Sequence, residues 1–437
     1  MNFKTILCWC MIASLFMDDF IIMRFMLPID LYVYYVFFII NILYFIFTKR
    51  TLNLLPKWFF LSISLLIGVT VFVSLSAGIF NFKVIKQIIG IVFTSVAYYT
   101  YLSIEEFNIK EVFRKYLIAA FLVSAYGIFE ELLHLQGIHI SSNIRQSSFG
   151  LYRVYSIMGE PYFLAVVLIP AFYFLWSALY KQGIISEFKT RLIFVFTIGT
   201  CYILTFSSAG FIGLALIIIF WLYNKKFFSI TNWKILMLPI LIIVFASLFS
   251  SVKNSWKEFN IKTTQTFKAF TAKKFSKKDV SDLNSSSFAL YSNYIVAKAS
   301  FDAKPLTGSG LGTHEANYLK RFEQFFDKSF LTKYGAFNAS DANSLFIRLM
   351  SETGLLGLGM FFLFLFKNFL RRKGYQDSEL KELTFINQGI FIWFIVRLVR
   401  TGNYFGNGFF LFFFLYYFSA KIVKEKLKEK KKAIKQI

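Results

Sequence analysis

Arginines and carboxylates stand in this chain where an apolar sequence should hold none. Asp341, Ser344, Arg348 and Glu352 recur at spacings of three, four and four. On a helix that is one continuous stripe. It runs into an apolar stretch over 343–366, so it must face a bundle interior or a water-filled cavity rather than lipid. Two readings stay open: an internal Arg348–Glu352 ion pair that locks helix packing, or the wall of a cleft open to the outside. Elsewhere Glu130 and Glu131 end an apolar run, and Arg397 and Arg400 end another. Arg145, Arg153 and Glu160 lie between two runs, and His314 precedes the stripe.

The arginines have a chemical logic. Guanidinium binds phosphate oxygens bidentately and stays charged at any relevant pH. One arginine at a membrane surface is usually an interfacial anchor. Four of them (Arg145, Arg153, Arg397, Arg400) converging on one surface suit a lipid-linked diphosphate.

The elements that must position these groups are membrane helices. Of 437 residues 57% are hydrophobic and 16% charged, against about 25% charged in an ordinary soluble domain. Apolar runs fall at 5–23, 31–48, 58–75, 84–103, 115–133, 161–180, 191–206, 210–223, 235–250, 343–366, 384–399 and 404–420. In lipid such runs must be helices, because nothing else satisfies their backbone groups. The expected fold class is therefore an all-α integral membrane protein of about twelve transmembrane helices. Its expected organisation is transmembrane helices over 1–250, a large loop over 251–341, further helices over 342–420 and a basic tail over 421–437.

Lys and Arg of the short loops alternate onto one face together with the tail, which predicts a cytoplasmic location for them and for both termini. That bias accounts for a net charge of +24 without nucleic acid as a partner. The segments 134–160, 207–209, 251–341 and 400–403 then lie outside. The large loop carries 14 Lys/Arg against 8 Asp/Glu, and its stretch Lys268–Lys278 reads as a solvated charged face or as a segment attracted to anionic lipid or polymer. Cys8, Cys10 and Cys201 sit inside apolar runs and read as small packing residues. No cleavable signal peptide is evident. The run Gly308-Ser309-Gly310-Leu311-Gly312 lacks the Gly-Lys-Ser/Thr of a nucleotide loop. It reads as a tight turn that lets backbone approach the membrane surface or a substrate. Gly354, Gly357 and Gly359 read as close-packing positions.

Three segments resemble the superfamily of bacterial O-antigen polymerases and O-antigen ligases. They are Arg153-Val-Tyr-Ser-Ile-Met-Gly-Glu-Pro161, Leu204-Thr-Phe-Ser-Ser-Ala-Gly210, and Pro305-Leu-Thr-Gly-Ser-Gly-Leu-Gly312 followed by Asp341-Ala-Asn-Ser-Leu and Ser351-Glu-Thr-Gly-Leu-Leu-Gly357. The resemblance implies a GT-C-like inner-membrane glycosyltransferase, metal-independent, cofactor-free and inverting, working on undecaprenyl-diphosphate-linked oligosaccharide at the outer face. Lipopolysaccharide O-antigen and capsule are the products it brings to mind, and membrane lipids and a chain-length regulator protein the further partners. In such a reaction Arg153, Arg145, Arg397, Arg400, Arg348 and Asn343 would hold the diphosphate or substrate. Asp341, with Glu160 and His314 behind it, would take the acceptor proton. Two departures favour polymerase over ligase. Asp341 stands where ligases usually show His, and Ser208-Ala209 where many members carry Arg. A lipid-linked oligosaccharide flippase is the rival from another class. It should spread charges through the whole bilayer depth and show repeats, whereas here the candidates gather on one side.

Overall fold

A computed structural model describes residues 2–17, 20–23, 31–48, 55–138, 151–179, 184–185, 187–224, 285–328, 331, 335–371, 378–406 and 408–434. The basic stretch 268–278, the expected span 235–250 and Arg145 lie outside the described residues. The first group of helices is α1 (Phe3–Ala13), α2 (Val33–Thr48), α3 (Lys57–Ser76), α4 (Phe82–Ile104) and α5 (Ile109–Leu135). Then come α6 (Pro161–Ala178), α7 (Phe188–Leu204) and α8 (Ser208–Asn224). The described part of the large loop forms α9 (Ser285–Ala303) and α10 (His314–Arg321), and α11 (Leu345–Asn368), α12 (Ser378–Val399) and α13 (Phe409–Ile434) close the chain.

Local chemistry sets several of these boundaries. Asn81 caps α4, its side chain accepting from Lys83 N at 2.9 Å; Asn108 caps α5 in the same way. Pro161 opens α6 at the first turn, where its missing N–H costs nothing. Ser344 caps α11 through its hydroxyl, which accepts from Ile347 N.

Six described helices, α3, α4, α5, α6, α11 and α12, are long and apolar enough to cross a membrane. Twelve were expected. Three apolar segments (Phe3–Phe16, Val33–Thr48 and Ser208–Asn224) are shorter, and a full crossing takes about 20 residues at 1.5 Å each. The expected run 5–23 is not one helix. α1 gives way to a 3-10 turn at Ser14–Phe16, and Ile21–Met23 (β1) pairs antiparallel with Leu31–Tyr32 (β2). The expected helix passed through Asp18 and Asp19, whose carboxylates disfavour a lipid-buried span. Apart from this short ladder the fold is all-α, as expected. The run 404–420 is shifted as well. Tyr404–Gly406 form a bend, and α13 begins at Phe409 and continues through the basic tail to Ile434. Lys426 anchors that extension on Glu379 at 2.6 Å.

α6 and α12 form the centre of the bundle. A Cβ on Gly389 of α12 would lie 3.1 Å from the carbonyl of Pro170 in α6, so the two backbones nearly touch. Pro170 removes one link of the α6 ladder. Tyr116 of α5 enters there, its hydroxyl donating to Val167 O and accepting from Ala171 N.

α11 is a broken helix. Gly354 has φ +59° and ψ −152°, a left-handed φ that glycine adopts without steric cost. The carbonyls of Ser351 and Glu352 accept instead from Ser309 N (3.0 Å) and Gly310 N (2.8 Å). The amides of Leu355 and Leu356 donate to Pro305 O (2.8 Å) and Leu306 O (3.0 Å). Backbone at this depth is tolerated only when protein satisfies it. The Gly308–Gly312 turn is thus the partner of a helix break, where approach to the membrane surface or a substrate was expected. Gly308, Gly310 and Gly312 all have positive φ, and a Cβ on Gly308 would collide with the Glu352 backbone. Gly354 is correspondingly the break itself, where helix packing was expected; at Gly359 nothing lies within 4 Å of a Cβ.

Candidate functional site

Arg348 is the hub of one end of the bundle. It is buried, and its Nε meets Glu352 Oε1 at 3.2 Å. Its Nη1 donates to Gly402 O (3.1 Å) and its Nη2 to Gln87 Oε1 of α4 (2.7 Å). Its guanidinium lies 4.5 Å over the ring of Tyr404. All three nitrogens are therefore engaged by protein, and the ion-pair reading of Arg348 and Glu352 holds geometrically. The four-residue stripe does not. α11 starts at Leu345, with Ser344 as its cap and Asp341 in the preceding turn.

Asp341 is tied to the loop that follows α12. Its Oδ1 accepts from Asn343 N (2.9 Å) and its Oδ2 from Gly402 N (3.3 Å). Thr401 N donates to Asn343 O, and Ser344 Oγ to Leu398 O. Ala342 (φ 56°), Asn343 (φ 57°) and Thr401 (φ 69°) all sit in the left-handed region. That conformation costs a non-glycine residue roughly 1–3 kcal/mol and gathers at sites where surrounding structure over-determines it. Burial pushes the Asp341 carboxyl above the ordinary carboxylate range; hydrogen bonds from Asn343 and Gly402 and the charges of Arg348 and Arg397 pull the other way.

Arg397 is fully buried against Trp393 (4.9 Å) and Phe409 (5.4 Å). Its Nη2 donates to Asn403 O, while its Nε and Nη1 have no partner among the described residues. The Nδ2 of Asn343 and the Oγ1 of Thr401 are also buried without a partner. Arg153 and Arg400 are half-buried and meet the Leu204–Gly210 turn from two sides. Arg153 Nε donates to Thr205 O and Arg400 Nη2 to Ser208 Oγ, each at 3.3 Å. Gly127 of α5 lets the segment carrying Arg153 lie close, since a Cβ there would meet Val154 at 2.7 Å.

The structure thus brings Asp341, Asn343, Arg348 and Arg397 together around residues 401–404, and Arg153 and Arg400 around the turn. Glu160 sits at the N-cap position of α6. His314 reaches the hub differently from a base. Its backbone N–H, at the start of α10, donates to Glu352 Oε1 (3.1 Å). Its Nε2 faces Asn293 Oδ1 at 2.9 Å. Asn293 Nδ2 donates to two carbonyls, so Oδ1 is the acceptor and Nε2 carries the proton. Burial and Arg348 lower the ring from 6.5 to about 3, which makes it a poor proton acceptor. Among the described residues no three His, Cys, Asp or Glu stand where they could hold a metal.

Gln87, Asn293, Thr401 and Tyr404 escaped the sequence reading. Gln87 carried a usable signal, a polar residue inside an apolar run. The other three have none, because their partners are distant in sequence.

Six crossing-length helices and a polar cluster at one end describe a multi-pass membrane protein. Residues 193–362 match the family model described as O-antigen ligase. The match spans the Leu204–Gly210 turn, the glycine run, Asp341 and the α11 break. No curated protein matches the chain.

Proposed function

We propose that the chain is a polysaccharide polymerase of the inner membrane. It transfers glycan repeat units between undecaprenyl-diphosphate-linked donors and acceptors at the outer face, inverting the anomeric centre without a metal. The observation that carries this reading is Asp341, a half-buried carboxylate with the charges of Arg348 and Arg397 beside it. An acceptor hydroxyl oxygen attacks the anomeric carbon and passes its proton to Asp341. The bond from that carbon to the phosphate oxygen breaks, and its electron pair stays on the leaving diphosphate. The open Nε and Nη1 of Arg397 are the donors best placed for that charge, with Arg153 and Arg400 beyond them. A positioned base is worth roughly 10²–10⁴-fold and a preorganised donor roughly 10²–10³-fold. Arg348 is occupied by Glu352, Gly402 and Gln87 and shapes the site from behind.

An O-antigen ligase is the second reading, favoured by the description of the matching family model. Asp341, where ligases usually show His, and Ser208-Ala209, where many members carry Arg, favour the polymerase. The test is an Asp341→Asn and an Arg153→Ala variant with surface glycan run on a gel. A polymerase variant loses the ladder and keeps single-unit product. A ligase variant keeps the lipid-linked ladder and loses its transfer. Loss of all surface glycan, single units included, would indicate a flippase and overturn the proposal.

A further inference from the structure

Loop length and charge predict that 251–341 lies wholly outside the membrane; the hydrogen bonds of residues 305–312 point to a different depth for that stretch. Four crossing-length helices measure it. α11 begins at Leu345 and α12 ends at Val399, and the bond from Ser344 Oγ to Leu398 O holds those two ends level. At 1.5 Å per residue, Glu352 lies about 10 Å and Leu355 about 15 Å along α11 from that rim. Gly310 N donates to Glu352 O, and Pro305 O accepts from Leu355 N. α3 gives a similar depth independently. Leu311 N donates to Thr70 Oγ1 at 3.2 Å, and Thr70 lies about 9 Å from the end of α3 at Ser76. A Cβ on Gly312 would meet Lys83 O at 2.8 Å, close to the start of α4 at Phe82. The chain is therefore deepest near Pro305 and climbs back toward the rim by Gly312.

The side chains along this path call for different surroundings. Leu306 is 68% exposed, and Leu355, beside it in the break, is 52% exposed. Pro305 has no N–H, and the amides of residues 308–311 are all bound by protein. Irregular backbone can stand at bilayer depth when protein satisfies it, which leaves the apolar Leu306 side chain free to meet hydrocarbon. Lys298 and Asp302, in the last turns of α9, are of the other kind. They pair at 2.6 Å, and the side chains are 54% and 56% exposed. Asp302 stands three residues before Pro305, so it is at most about 10 Å above it and still below the rim. Charged side chains at that depth face water, not lipid tails.

We infer that residues 305–311 form a re-entrant limb with bilayer hydrocarbon on one side and a hydrated recess on the other. Leu306 contacts lipid tails beside Leu355, and Asp302 faces the recess. The inference rests on the membrane helices and is independent of the reaction proposed above.

The test uses the full chain in phosphatidylcholine vesicles, with Cys8, Cys10 and Cys201 replaced by alanine. Leu306→Cys, Asp302→Cys, Leu355→Cys and Gln324→Cys each carry a nitroxide label, and their relaxation is compared in oxygen and in a water-soluble nickel chelate. Oxygen concentrates in hydrocarbon, and the chelate is excluded from it. Leu355 is the lipid reference; Gln324, exposed in the 3-10 turn after α10, is the water reference. Oxygen should dominate at Leu306→Cys as at Leu355→Cys, and the chelate at Asp302→Cys as at Gln324→Cys. A thermal melt equal to that of the cysteine-free chain shows that each variant is folded. A dominant chelate effect at Leu306→Cys overturns the lipid contact and with it the limb. Dominant oxygen at Asp302→Cys overturns the recess.

Discussion

Two buried polar clusters sit on α12, roughly 14 Å apart along the helix by its 1.5 Å rise, and they are finished to different degrees. At the first, Gln388 accepts from Tyr173 (2.6 Å) and Asn224 (2.6 Å) and donates to Leu370 O (3.0 Å). Its neighbour Asn387 donates to Asn368 O and Tyr416 O and accepts from Leu370 N. None of these four polar side chains has an unpartnered buried atom. At the second, around Arg397, buried donors of Arg397, Asn343 and Thr401 have no partner among the described residues. Burying a polar group without a partner costs about 1–3 kcal/mol. A fold keeps such a group where something other than stability demands it. The closed cluster fastens α6, α8 and α12 together; the open one is where we propose that the reaction takes place.

That contrast can be broken in several ways. The largest expected effect is on Asp341→Asn, which should cut polymerisation roughly 10²–10⁴-fold at unchanged protein level, read as loss of the glycan ladder against an immunoblot. Arg348→Ala strands the buried Glu352 carboxylate. It should cost about 3–5 kcal/mol of stability, read as a lower melting temperature and yield, whereas Arg397→Lys should lose activity with little change in melting. If Arg397→Lys melts as low as Arg348→Ala, the open cluster is structural after all. Gln388→Ala should destabilise by roughly 1–3 kcal/mol and leave the turnover of the folded fraction intact. Finally, His314 takes up a proton near 6.5 when unfolded and near 3 when folded. The unfolded chain binds that proton more readily, so stability is full above about pH 6.5 and falls as pH drops toward 3. Melting temperature against pH should show this slope, and His314→Gln should flatten it.

Much of the helical frame was legible in the sequence, because an apolar run of about 20 residues has one outcome in lipid. The runs 58–75 and 84–103 became Lys57–Ser76 and Phe82–Ile104 with ends shifted by one or two residues. The Arg348–Glu352 pair was legible as well, since i, i+4 spacing on a helix brings two side chains together without help from the rest of the fold. What stayed hidden depended on distant chain. Gln87 meets Arg348 across 261 positions. The start of α11 was misplaced because the Ser344 hydroxyl caps it, leaving Asp341 free to join Gly402. Gly354 reads alike as a packing glycine and as a break, and only the carbonyls of Pro305 and Leu306 decide between them.

That break has a consequence for how the chain is assembled. An unbroken α11 would close two of its own hydrogen bonds, from Leu355 N to Ser351 O and from Leu356 N to Glu352 O. The folded chain gives up both and forms four with residues 305–310 in their place. The segment can therefore enter the bilayer as a plain apolar helix, all backbone groups satisfied, before its partner arrives. Residues 305–310 are synthesised first. Their docking converts a self-sufficient rod into a jointed one, so completion of the polar end around Arg348 is coupled to the arrival of the loop.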